Sequence, residues 1–117
     1  MVKKFDEIAE LVNRYIANLK GQLQIDKVIL FGSYAEGKAV ENSDVDLAII
    51  SPDVTDDNLI EYLQLATRAI PRHVDIDLEP LVFSDQQYNE ASDIEFLGEI
   101  KKKGKLIYQR ETEALHF

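Results

Sequence analysis

The residues able to do chemistry concentrate in one stretch, Phe31-Gly-Ser-Tyr-Ala-Glu-Gly-Lys-Ala-Val-Glu-Asn-Ser-Asp-Val-Asp-Leu47. The apolar run Val28–Phe31 ends at Gly32-Ser33, ten residues follow (34 to 43), and Asp44-Val45-Asp46 then opens a second apolar run, Leu47–Ile50. A glycine at the end of a strand lets another backbone, or a phosphate, approach closely. Ser33 starts a helical turn, where free N–H groups and the helix dipole favour an anion and the hydroxyl adds a donor. Asp44 and Asp46, two apart on a strand, point to the same side. Two carboxylates so placed repel one another unless a cation neutralises them, and oxygen-only ligands suit Mg²⁺ bridged to phosphates. An anion cradle and metal-binding carboxylates on adjacent strand ends describe a site for a nucleoside triphosphate with magnesium. Further along, Asp75, Asp77 and Glu79 fall on one face of a third extended segment. They offer the additional carboxylate that metal-assisted phosphoryl or nucleotidyl transfer uses as base or ligand.

Simpler explanations exist for each part. Ser33-Tyr-Ala-Glu36 is also a capping box, and Asp-Val-Asp alone could be a solvated strand opening. The combination, at this spacing and between two wholly apolar strands, favours the functional explanation.

The elements that must position these residues are legible from their periodicity. Phe5, Ile8, Val12, Tyr15, Ile16 and Leu19 form a helical stripe with Asp6 and Glu7 in its first turn and Gly21 as its stop. Ile25–Phe31 and Asp44–Ser51 end in continuous apolar runs, as strands covered on both faces do. Thr55 is placed to cap a helix carrying Leu59, Leu63, Ala66 and Ile70 on one face, with Pro71 ending it. Val74–Leu78 alternates strictly and predicts a strand, its acidic face continued by Glu79. Ser84-Asp-Gln-Gln87 and Ser92-Asp-Ile-Glu95 are capping boxes that predict two short helices, the second running through Lys101–Lys103 to Gly104. Leu106–Tyr108 fits a last short strand before a polar tail. The order predicts an α/β or α+β sheet with helices packed over it.

Composition narrows the possibilities. With 117 residues the chain has room for a single domain, 1–117, with a real core. Hydrophobic residues make up 45% and charged residues 30%, an ordinary globular mixture. Its net charge of −9 argues against non-specific nucleic-acid binding, which relies on a basic surface to release counterions. No apolar run is long enough to cross a bilayer, so no membrane association is expected. There is no cysteine, which excludes disulfides and thiolate chemistry. That and an N-terminus without a signal-peptide pattern suit a cytoplasmic protein.

Gly32-Ser33, ten residues and Asp44-Val45-Asp46 together resemble the signature of the minimal nucleotidyltransferases of the DNA polymerase beta superfamily, in which kanamycin nucleotidyltransferase is a larger relative. The resemblance runs through the leading helix, the motif, the next helix, the acidic third strand and the closing helices. It implies a nucleotidyltransferase-type mixed sheet, with Gly32 and Ser33 holding the triphosphate of ATP and Asp44 and Asp46 binding Mg²⁺. It also implies a third carboxylate that completes the metal site and assists deprotonation of an acceptor hydroxyl. Among Asp75, Asp77 and Glu79 the favoured residue is Asp77, then Asp75. Many relatives carry a basic residue where Glu36 stands; here Lys38 is the nearby cation that could neutralise phosphate. Larger members add an acceptor-binding domain, for which no length is left here. Minimal members are often the antitoxin half of a pair with an all-helical HEPN protein, and some adenylylate it, which implies a HEPN-type partner or a protein acceptor. A homo-oligomer is also open.

The remaining candidates are weaker. Lys101, Lys102, Lys103 and Lys105 suit a helix C-terminus better than a phosphate or partner patch. His73 and His116 are too far apart in sequence to suggest a metal pair, and Tyr34 fits packing better than base stacking. Two functional readings follow: a Mg²⁺-dependent enzyme moving a nucleotide, AMP from ATP, onto a hydroxyl of a protein or small molecule; or a catalytically weak module of the same fold that restrains a helical partner.

Overall fold

Apolar residues at three- and four-residue spacing build the first helix, α1 (Phe5–Lys20), with Asp6 and Glu7 in its first turn. Ile8, Leu11, Val12, Tyr15, Ile16 and Leu19 are each at most 3% exposed, so the stripe read from the sequence is the buried face. The structure, a computed structural model, describes residues 5–40, 43–72, 76–110 and 114–115. Five strands make one mixed sheet: β1 (Lys27–Phe31), β2 (Val45–Ser51), β3 (Leu78–Ser84), β4 (Lys105–Gln109) and β5 (Ala114–Leu115), in the order β3-β2-β1-β4-β5. Among the described residues only the β2–β3 pairing is parallel. Among the described residues no helix is long and apolar enough to cross a membrane.

The continuous apolar runs of β1 and β2 are explained by helices on both faces. On one face α1 and α2 (Leu59–Arg68) cover Val28, Leu30, Val45, Leu47, Ile49 and Val82. The Tyr15 hydroxyl donates to the Ala66 carbonyl at 2.7 Å, joining the two helices; a buried hydroxyl left unpaired would cost about 1–3 kcal/mol. On the other face α3 (Asp85–Glu90) and α4 (Phe96–Lys103) cover Ile29, Ala48 and Ile50 with Leu97 and Ile100. The site lies at the end of this second face where β2 begins with Val45 and Asp46.

Several boundaries depart from the sequence expectation. The third strand runs from Leu78 to Ser84, not from Val74 to Leu78; His73, Val74 and Asp75 lie outside the described residues. Pro80 is accommodated because β3 is an edge strand. The Val45 N–H donates to the Asp77 carbonyl, so odd-numbered residues face β2 and the missing N–H of Pro80 faces the open edge. Thr55 does not cap α2. Asn58 Oδ1 accepts from the Thr55 N–H at 2.6 Å and Asn58 Nδ2 donates to the Asp53 carbonyl at 2.9 Å, closing a turn ahead of a helix that starts at Leu59. Ser84–Gln87 forms the expected capping box for α3. Ser92–Glu95 forms only a tied turn, with Ser92 N–H and Oγ both on Glu95 Oε1, and α4 begins after Glu95. The first strand is two residues shorter than Ile25–Phe31, and β5 falls in the stretch expected to be a polar tail.

Candidate active site

The site is built where β1 ends and β2 begins. In the antiparallel register Phe31 lies opposite Asp46. Gly32 then turns the chain with φ +75°, and a Cβ there would overlap Asp46 Oδ2. Glycine is required twice over: for the left-handed backbone, and to let the Asp46 carboxylate lie against the chain. The Gly32 carbonyl accepts from the N–H groups of Ala35 and Glu36, both at 3.1 Å, and the Ser33 carbonyl accepts from Lys38 N–H at 2.9 Å. This is the expected helical turn, but its capping acceptor is the Gly32 carbonyl rather than the Ser33 side chain. Among the described residues the Ser33 hydroxyl and N–H have no partner, so both remain available to an anion. Tyr34 and Ala35 pack against the larger core, in keeping with a packing role for Tyr34. After the turn, Ser43 Oγ accepts from Val40 N–H at 2.8 Å and Ser43 N–H donates to the Val40 carbonyl at 3.0 Å, fixing the approach to Asp44.

Electrostatics ties the carboxylates together. Burial raises the pKa of Asp46 above the ordinary carboxylate range, and the charges of Asp44 and Glu79 raise it further. The Glu79 effect follows from register: Asp46 pairs with Glu79 in the parallel β2–β3 ladder, where partners point to the same side. Asp77 precedes β3 with its side chain exposed and its carbonyl bonded to Val45 N–H. Asp75 lies outside the described residues. Lys38 is exposed (76% of its side chain) with its ammonium 3.8 Å from Glu36 Oε1, so it leans along the turn.

Asp44 and Asp46 are the pair of carboxylates that could share a divalent cation. Asp44, Asp46 and Glu79 offer oxygen only, and the like-charge crowding on Asp46 is relieved by a cation. Among the described residues no three acidic or histidine side chains form a preformed metal cage. Mg²⁺ is commonly held by one or two carboxylates together with substrate phosphates, so Asp44 and Asp46 alone could hold it.

Helix α4 contributes what the sequence did not signal. A cavity of about 200 Å³ opens beside Gly32, walled by Phe31, Phe96 and Ile100, with Glu99 and Lys103 also on its lining. Nothing local to Phe96 marks it, because its proximity to Gly32 arises from the packing of α4 over β1. The lysines at the end of α4 serve different ends. Lys101 Nζ donates to the Tyr88 carbonyl at 2.8 Å and sits 4.6 Å from the Tyr88 ring centroid, whereas Lys103 pairs with Glu99 at 3.3 Å. His116 lies outside the described residues.

Comparison with known proteins places this geometry. The family described as "Polymerase beta, Nucleotidyltransferase" matches residues 13–113. "Putative protein adenylyltransferase MJ0604" of Methanocaldococcus jannaschii is 31% identical over 101 residues, covering 86% of this chain and 94% of that protein. "Putative protein adenylyltransferase MJ0141" of the same organism is 30% identical over 101 residues, covering 84% and 96%. The fold is shared with a solved "putative nucleotidyltransferase from Sulfolobus solfataricus", with a TM-score of 0.68 at 16% identity, covering 95% of this chain and 88% of that one. It is also shared with a chain from a crystal structure described as "the toxin-antitoxin with AMP-PNP", with a TM-score of 0.53 at 24% identity, covering 86% and 74%. Nucleotidyl transfer is the reaction class of such proteins, and this chain belongs to the polymerase beta nucleotidyltransferase family as one of its minimal members.

Proposed function

We propose that the protein transfers a nucleotide, AMP from ATP, to a hydroxyl group of a protein, with Mg²⁺ held by Asp44 and Asp46. The observation that carries this reading is the Asp46 carboxylate lying against Gly32, in register with Phe31 and Glu79 and within the field of Asp44. Ser33, with an uncommitted N–H and hydroxyl, and the glycine turn hold the terminal phosphates; exposed Lys38 adds only screened positive charge. Bound Mg²⁺ supplies charge neutralisation of the reacting phosphate and a lowered pKa for the acceptor oxygen. For the third carboxylate we assign Glu79 ahead of Asp77, since Glu79 is the register neighbour of Asp46 and one of the two charges acting on it. Glu79 accepts the proton of the acceptor hydroxyl. The acceptor oxygen bonds to the α-phosphorus as the bond to the β-phosphate oxygen breaks, and pyrophosphate leaves with that electron pair.

The protein acceptor is supported by the names of the relatives, and a partner protein by the toxin–antitoxin neighbour; that this partner is a helical HEPN-type protein is part of the proposal. That neighbour also favours the second reading, a weakly catalytic module that restrains such a partner. Thermal melting with Mg²⁺ and ATP tests the site. Ligand at about a hundred times its Kd adds about 2.7 kcal/mol, a rise of roughly 10 °C for a domain of this size. Asp44→Asn/Asp46→Asn is expected to abolish the rise, and an equal rise in the double variant would refute the assignment.

A further inference from the structure

We propose that the cavity beside Gly32 seats the adenine ring of the nucleotide, with Phe31 and Phe96 as its aromatic walls and the Glu99–Lys103 pair contacting the base edge; this rests on the nucleotide-transfer reading. Position is the first argument. A base is joined to its α-phosphate through a single ribose, so its seat must lie next to the metal-binding carboxylates. Phe31, which walls this cavity, is the register partner of Asp46. Size is the second: about 200 Å³ is less than the roughly 300–1,000 Å³ of pockets for drug-sized ligands and suits one flat heterocycle.

The walls are the third argument. Phe31 and Phe96 meet edge to face with centroids 5.9 Å apart and planes at 82°. Phe96 is nevertheless 61% exposed at the cavity, a large apolar ring that its own packing leaves half in solvent. Every base offers a π-face to such a ring. The fourth argument is the lining. Glu99 Oε2 and Lys103 Nζ, 3.3 Å apart, present an acceptor beside a donor, with Glu36 a further acceptor on the lining. Adenine presents the complement, its N6 amino donor beside the N7 acceptor, where guanine presents two acceptors at O6 and N7. Neither residue is needed for α4 to pack, which rests on buried Leu97 and Ile100.

Calorimetric titration of the full chain with Mg²⁺-ATP, Mg²⁺-GTP and Mg²⁺-tripolyphosphate tests the assignment. Phe96→Ala is expected to weaken ATP binding by tenfold or more, the scale of one lost base–aromatic contact, while leaving tripolyphosphate within twofold. Ile94→Ala removes an even more exposed apolar side chain, 95% exposed, that does not line the cavity, and is expected to change neither ligand. Glu99→Ala is expected to reduce the preference for ATP over GTP. If Phe96→Ala weakens ATP and tripolyphosphate equally, or neither, the base lies elsewhere and the proposal falls. If wild-type protein binds neither ligand, or if Asp44→Asn/Asp46→Asn binds both as wild type does, the nucleotide-transfer reading itself falls and the base seat with it.

Discussion

Gly32→Ala and Gly37→Ala form a matched pair that isolates the contact between Gly32 and Asp46. Both glycines adopt left-handed backbone, at φ +75° and +71°. Alanine at either site therefore costs about 1–2 kcal/mol in backbone strain. At Gly37 a Cβ meets nothing within 4 Å, whereas at Gly32 it would overlap Asp46 Oδ2. That carboxylate is the end of a side chain and must rotate to make room. Forcing it off its rotamer adds about 0.5–1.5 kcal/mol. Gly37→Ala should thus lose about 1–2 kcal/mol and Gly32→Ala about 2–3 kcal/mol. At roughly 4 °C per kcal/mol for a domain of this length, the two variants should melt about 4 °C apart, with Gly32→Ala the lower. Repeating the melts with Mg²⁺ and ATP gives a second reading: Gly37→Ala keeps the ligand-induced rise, and Gly32→Ala loses it because Asp46 has been displaced. Variants that melt together and rise equally would show that Gly32 does not support Asp46, and the geometric basis of the site would be refuted.

Replacing Ser33 with Ala should leave the apo melt unchanged within about 0.5 kcal/mol, since the hydroxyl caps nothing, yet weaken ATP about tenfold through a lost hydrogen bond to a charged phosphate; a lower melt with unchanged affinity would restore the capping explanation. Glu79→Gln should slow transfer by about 10²-fold or more with much less effect on ATP binding, and more than Asp77→Asn does; the reverse order in single-turnover rates would return the third-carboxylate role to Asp77. At the other end of the sheet, burial and the Asp26 carboxyl raise the pKa of Asp85 to about 6 against the pull of Lys27 and Arg110. A group raised in the folded state gives stability that is present below its unfolded pKa of about 3.9 and is lost as pH rises through the folded value. The unfolding free energy of wild type, from denaturant titrations, should therefore fall by about 1 kcal/mol between pH 4 and pH 7 relative to Asp85→Asn, after discounting for solvent screening; parallel curves would show that the Asp85 carboxyl is not perturbed.

What the sequence disclosed and what it concealed have a common physical basis. Periodicity located α1 and both buried strands because their apolar residues have one environment each, a helix face or a doubly covered strand. The Gly32 turn and Asp-Val-Asp were legible because backbone geometry and charge spacing within a few residues define them. Boundaries failed where a distant partner decides them. Pro80 argues for a break until β3 is known to be an edge strand, and Thr55 resembles a cap until Asn58 folds back onto it. The proposed role of Glu79 rests on the β2–β3 register, which sets it beside Asp46 and which the spacing of Asp75, Asp77 and Glu79 does not reveal. Phe96 was hidden entirely, because its place at the site depends on how α4 crosses β1.

The most direct test of the central claim is transfer of label from ATP labelled at its α-phosphate, with Mg²⁺, to protein present in the reaction, both the chain itself and a co-expressed candidate partner protein. The account expects covalent labelling of protein by wild type, loss of that labelling with Asp44→Asn/Asp46→Asn, and none from ATP labelled at the γ-phosphate. Labelling that survives in the double variant, or arises from the γ-phosphate, would contradict it, as would a wild-type protein that binds and silences its partner without transferring label.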